Sequence, residues 1–130
     1  MSNKMLQPLF LYGTLKQGFY NHDRFGLHER ERGTMVSTTA HVRGYGLLME
    51  YGLPYAVECT DSDFALHGHV WQPNDAELVE VLTRMEVGAG YKPIDVVATI
   101  GDNTQVACTM YVKDEDGQAH KPATLCCFYS

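Results

Sequence analysis

Helical periodicity is confined to one clear stretch of this chain, and that limits the possible folds more than any other feature. Leu78, Leu82 and Met85 recur at helical spacing opposite Glu77, Glu80 and Arg84, with Asn74 as N-cap and Glu77 three residues on. The spacing predicts a helix to about Met85, where Glu86-Val87-Gly88-Ala89-Gly90 stops it through two glycines. A shorter helix is expected from a cap at Asn21 or Asp23 through roughly Leu27, followed by an exposed charged loop from Glu29 to Arg32.

The rest of the chain falls into short apolar runs closed by turn residues, the pattern of β-structure. Leu9-Phe10-Leu11-Tyr12 reads as a buried strand ended by Gly13, and Gly13 to Gly18 as a glycine-bracketed loop. Ala40 to Met49 suits a bent strand, in which Gly44 and Gly46 suggest a bulge or a close backbone approach. Two more strands, Tyr55 to Cys59 and Leu66 to Trp71, flank the polar turn Thr60-Asp61-Ser62-Asp63. Ile94 to Ile100 and Gln105 to Val112 form a hairpin across Gly101-Asp102-Asn103-Thr104. In its second arm Val106, Cys108, Met110 and Val112 share one face. Leu125 to Tyr129 reads either as a last strand or as a docked tail. With 130 residues there is room for one domain, residues 1–130. The expected class is α+β: a small, mostly antiparallel β-barrel of about six or seven strands with flanking helices.

Charge narrows the partners. Ten Lys+Arg against sixteen Asp+Glu give a formal net charge of −6 with no basic cluster, which argues against nucleic acid and anionic membrane. The first eight residues lack the layout of a signal peptide, and no run approaches the roughly 20 apolar residues of a membrane span. Cys59, Cys108, Cys126 and Cys127 show no C-x-x-C spacing and read as reduced thiols of a cytoplasmic protein.

Two segments could carry chemistry. Successive backbone N–H groups in the turn after Tyr12 can form a concavity for a carboxylate or oxyanion, although a Gly-Thr step is also an ordinary strand-to-loop turn. Glu86, where the helix ends, sits in an unfavourable dipole; partial burial there would raise its proton affinity and suit a general base. A solvated Glu in a capping loop is the plainer alternative. His67 and His69 share a strand face but lack a third ligand, weak grounds for a metal. Tyr91 and Tyr111 either line a pocket or pack as ordinary barrel residues.

Taken together, these segments resemble the γ-glutamylcyclotransferase-like family. The resemblance runs through Leu11-Tyr12-Gly13-Thr14-Leu15-Lys16-x-Gly18, Asn21-His22, Gly52-Leu53-Pro54-Tyr55-Ala56-Val57, Gly68-His69-Val70-Trp71, Leu82-x-x-Met85-Glu86, Tyr91 and Ala107-x-x-x-Tyr111-Val112. It is nearest to the small γ-glutamylamine cyclotransferase branch. Three departures stand out: Thr83 where an Asp often stands, Val87 rather than Gly, and Tyr91-Lys92-Pro93 in place of Tyr-x-Arg. The resemblance implies a cytosolic enzyme without metal or cofactor that cleaves a γ-glutamyl amine or γ-glutamyl amino acid by cyclisation to 5-oxoproline. Glu86 would be the proton acceptor, and Tyr12, Gly13, Thr14 and Leu15 the substrate loop; if Tyr91 and Tyr111 line the pocket, they would position the glutamyl group. A catalytically silent barrel that binds a small acidic ligand is the alternative, and a thiol- or metal-dependent hydrolase is a third.

Overall fold

The computed structural model describes residues 6–13, 16, 22, 26–27, 31–50, 53–101, 103–113 and 119–129. Strands β1 (Leu9–Leu11), β2 (Gly33–Arg43), β3 (Tyr45–Glu50), β4 (Leu53–Glu58) and β5 (Ala65–Pro73) precede helix α1 (Ala76–Gly88). Strands β6 (Lys92–Ile100) and β7 (Thr104–Val112) follow, then a 3₁₀ turn at Pro122–Thr124. Hydrogen bonding runs β1-β5-β2-β6-β7-β4-β3, and β1 also pairs with β7, so that five strands close into a barrel and β4 and β3 extend it. All neighbours are antiparallel except β1–β7 and β4–β7.

The three residues of β1 are buried on both faces, which is why they read as an unbroken apolar run. Phe10 points into the barrel with Val42, Leu66, Val70, Cys108 and Met110. Leu9 and Leu11 lie outside it, where they join Trp71, Leu27, Leu78 and Leu82 beneath α1. Backbones approach closely at this seam: a Cβ on Gly68 would stand 2.4 Å from the Leu11 carbonyl oxygen.

Several sequence expectations need correction. The stretch from Ala40 to Met49 is two strands, because Gly44 takes φ +84° and turns the chain between β2 and β3. The irregularities of register fall between Met35 and Ala40, in a part of β2 that alternates exposed and half-buried residues and lacks an apolar run. The helix is capped by Asp75, whose carboxylate accepts from the N–H groups of Glu77 (3.1 Å) and Leu78 (3.2 Å). Asn74 instead donates to the Glu31 carbonyl. Residues 125–129 form a docked tail: Cys126 bridges Leu47, and the His67 N–H donates to the Cys127 carbonyl at 2.7 Å. The short helix expected through Leu27 lies largely outside the described residues.

One edge of β7 is shared. β1 pairs with it at Thr109 and β4 at Val112, so neither strand covers the backbone between those two positions. The Tyr12 hydroxyl fills the gap, accepting from the Ala56 N–H at 3.1 Å and donating to the Tyr111 carbonyl. Burial holds this phenol protonated far above its ordinary range. Tyr12→Phe leaves a buried N–H and a buried carbonyl unpaired, at roughly 1–3 kcal/mol for each such group. The variant is expected to lose about 3 kcal/mol in urea unfolding; a loss below about 0.5 kcal/mol would show that the seam closes without the hydroxyl.

Candidate active site

The end of α1 brings Glu86 into this seam. Ala89 is the C-cap, Gly90 follows with φ +95°, and two bonds close the turn: Gly90 N–H to Val87 carbonyl (3.1 Å) and Tyr91 N–H to Glu86 carbonyl (2.9 Å). That pair is a Schellman motif, which reverses the chain and lays Tyr91 against Glu86. Glu86 therefore belongs to the last turn of the helix and not to a capping loop, and the stop is Gly90 alone, Gly88 being helical.

Tyr91 runs from there to β4, donating its hydroxyl to the Pro54 carbonyl at 3.0 Å. Pro54 in turn abuts the turn after β1, since a Cβ on Gly13 would stand 3.2 Å from its Cγ. Gly13 is itself held by the Lys16 N–H, which donates to its carbonyl at 3.0 Å. Tyr12, Gly13, Tyr91, Glu86 and Tyr111 thus occupy one end of the molecule. Thr14 and Leu15 lie outside the described residues.

Sequence reasoning marked Thr83 only as a departure from the family pattern and Pro54 only as part of the resemblance, and gave neither a place in the site. Thr83 Oγ1 lies 2.7 Å from the Tyr111 hydroxyl, one helical turn before Glu86. The i, i+3 spacing from Glu86 was visible; its partner on β7 was not. Pro54 carries no chemical signature of its own.

Glu86 is half-buried, and among the described residues no hydrogen bond reaches its carboxylate. Loss of water pushes its proton affinity up from 4.5 to about 7. Helix α1 has no basic residue in its last turn to offset the dipole there. The charge is felt by both Tyr12 and Tyr111, whose ionisation it opposes further after burial has done most of the work.

The remaining suspects lie elsewhere. His69 stays neutral more readily than usual through burial and then through Lys16 and His22 nearby, and His41 likewise through burial and then His67 and Arg43. Lys16 is buried and donates its Nζ to the Tyr129 carbonyl, so the tail anchors the loop after β1. Cys108 is buried in the barrel with its thiol pushed up to about 11, and Cys59 is buried too, leaving Cys126 exposed and Cys127 half-buried. No group of three or more metal-ligating side chains occurs among the described residues, and no helix there is long and apolar enough to cross a membrane.

A family model described as gamma-glutamyl cyclotransferase, AIG2-like, matches residues 9–127. The chain belongs to that family. Among solved structures, an AIG2-like protein from Mus musculus superposes with a TM-score of 0.71 at 17% identity, over 97% of this chain and 89% of that one. An uncharacterized protein from Pyrococcus horikoshii gives 0.63 at 23%, over 88% and 83%. A protein named gamma-glutamyl cyclotransferase gives 0.62 at 17%, over 83% of this chain and 66% of that one. At these identities the structures show a shared fold. No curated protein matches the sequence.

The raised Glu86 affinity has a consequence for stability. The unfolded chain loses this proton near 4.5 and the folded chain near 7, so the folded state binds more protons between those values and stability falls as pH rises through them. The favourable contribution is complete below the lower value and gone above the upper. Glu86→Gln abolishes this slope and is expected to gain on the wild type across that window, by at most about 3 kcal/mol. Thermal melts of both proteins from pH 4 to 9 check this; parallel curves would place the carboxylate in water.

Proposed function

We propose that the protein is a cyclotransferase that releases 5-oxoproline from a γ-glutamyl amine or γ-glutamyl amino acid. The observation supporting this most strongly is the half-buried Glu86 carboxylate, without a hydrogen-bond donor among the described residues and within electrostatic range of Tyr12, the residue before the turn that follows β1. A pure binding site for an anionic ligand has no use for such a group.

The chemistry needs little else. The substrate carries its own nucleophile, so the site must fold the glutamyl chain until its α-amino nitrogen meets the γ-carbonyl carbon. Glu86 takes the proton from that nitrogen as the new C–N bond forms. The loop of Gly13, Thr14 and Leu15 is assigned the γ-carbonyl oxyanion, which backbone N–H groups stabilise most when it bears full charge. Glu86 then returns the proton to the departing amine as the old C–N bond breaks, leaving 5-oxoproline and a free amine. An affinity near 7 suits both halves of the cycle, because the group must accept and give back one proton at the same pH. Tyr12 enters as the anchor of the loop, its hydroxyl already committed to backbone, while Tyr91 and Tyr111 border the glutamyl chain. The cysteines take no part.

Incubation with a panel of γ-glutamyl amides, including γ-glutamyl-lysine, should yield 5-oxoproline by mass spectrometry. The rate should rise with pH through about 7 as Glu86 ionises. Glu86→Gln should reduce turnover on the order of 100- to 10,000-fold while a γ-glutamyl ligand still binds. Binding without turnover by the wild type would instead support a silent acidic-ligand barrel, and near wild-type turnover by Glu86→Gln would move the base elsewhere.

A further inference from the structure

Tyr111 is held at both ends. Its carbonyl accepts the Tyr12 hydroxyl, and its own hydroxyl meets Thr83 Oγ1 at 2.7 Å. Thr83 and Glu86 stand three residues apart on α1 and so present to the same side of the helix. The Tyr111 hydroxyl lies within electrostatic range of the Glu86 carboxylate, yet its hydrogen bond is shared with Thr83 Oγ1, either oxygen being able to donate. A phenol is a good donor and a carboxylate the stronger acceptor, so a tyrosine free to choose would turn toward the charge.

We infer that Thr83 is a positioning residue, whose hydroxyl engages the Tyr111 hydroxyl and keeps it off the Glu86 carboxylate, so that the carboxylate, which takes no hydrogen bond among the described residues, remains a strong base. The inference rests on the reading of Glu86 as the proton acceptor, but its geometry is that of the resting protein and can be tested without substrate. Among the described residues the groups facing Glu86 are few. Tyr12 and Tyr111 come from the barrel, and Tyr91 follows the helix with its hydroxyl on Pro54. On α1 itself Arg84 pairs with Glu80 at 3.3 Å, both exposed, and from beyond β7 Lys113 reaches Gly90 with its chain and holds its amine over the Tyr55 ring. Burial, rather than any of these charges, is what holds the Glu86 proton. A donor arriving at the carboxylate would offset that burial directly and lower its basicity.

Thr83→Val keeps the shape of the side chain and removes the hydroxyl. The released phenol is expected to donate to Glu86, so the carboxyl should titrate lower than in the wild type by half a unit or more, on the order of a single charge-assisted hydrogen bond. The readout is carbon-13 NMR of the Glu86 carboxyl in the free protein. In a Tyr111→Phe background the same substitution should change nothing, because the hydroxyl it would release is gone, and Thr83→Ser should restore most of the wild-type titration. With γ-glutamyl-lysine, Thr83→Val should lower kcat roughly 10-fold with little change in KM, the acidic limb of the pH profile moving with the NMR value. An unchanged Glu86 titration in Thr83→Val, or effects of Thr83→Val and Tyr111→Phe that simply add, would overturn the inference. A wild type that titrates as described but turns over no γ-glutamyl amide would refute the cyclotransferase reading and leave the positioning role of Thr83 standing.

Discussion

A single phenolic oxygen joins the parts of this molecule that face the candidate site. β7 offers one edge to two strands, and where β1 stops and β4 starts the backbone would otherwise be left unpaired inside the protein. Tyr12 supplies the missing donor and acceptor from a side chain, and it can do so only because it is the residue directly after β1 and points inward like Phe10. The same bond locates the turn at Gly13, the start of β4 and the backbone of Tyr111. These are the surroundings of Glu86.

The site is therefore built on rigid elements, with strain concentrated in solvation instead of geometry. Glu86 is half-buried at the wrong end of a helix dipole, without a donor among the described residues, and the fold tolerates this because the Schellman turn and the α1 contacts with Trp71, Leu9 and Leu11 hold the helix in place independently. A carboxylate that destabilises the folded protein at neutral pH is the usual mark of a group retained for chemistry. Thr83 fits the same pattern: a polar side chain on the buried side of α1, next to the fully buried Leu82, satisfied by one bond to Tyr111.

Much of the architecture was legible because it rests on short-range rules. The apolar run of β1, the alternation along β7, the hairpin at Gly101 and the spacing of Leu78 and Leu82 each specify their element locally. Errors arose where local signals were ambiguous. Asn74 and Asp75 are both good caps, and only the position of Glu31 claims Asn74 for another bond. The polar first half of β2 is a strand through its ladder with β5 and not through any pattern of its own, since its outward residues meet water.

By itself, then, the sequence determined most of the strands and helix α1, the glycine stop after Glu86, the acidic charge balance and the motif pair of Tyr12-Gly13 and Glu86, all properties of a few neighbouring residues. Tertiary structure alone decided that five strands close while two extend the sheet. It also decided that Tyr12 spends its hydroxyl on backbone, that Pro54 and Tyr91 bridge the loop to the helix, and that Thr83 meets Tyr111. Each of these joins residues 28 or more positions apart. The proton affinity of Glu86 belongs with them, because a residue's charge is written in its identity while its loss of water depends on everything folded around it.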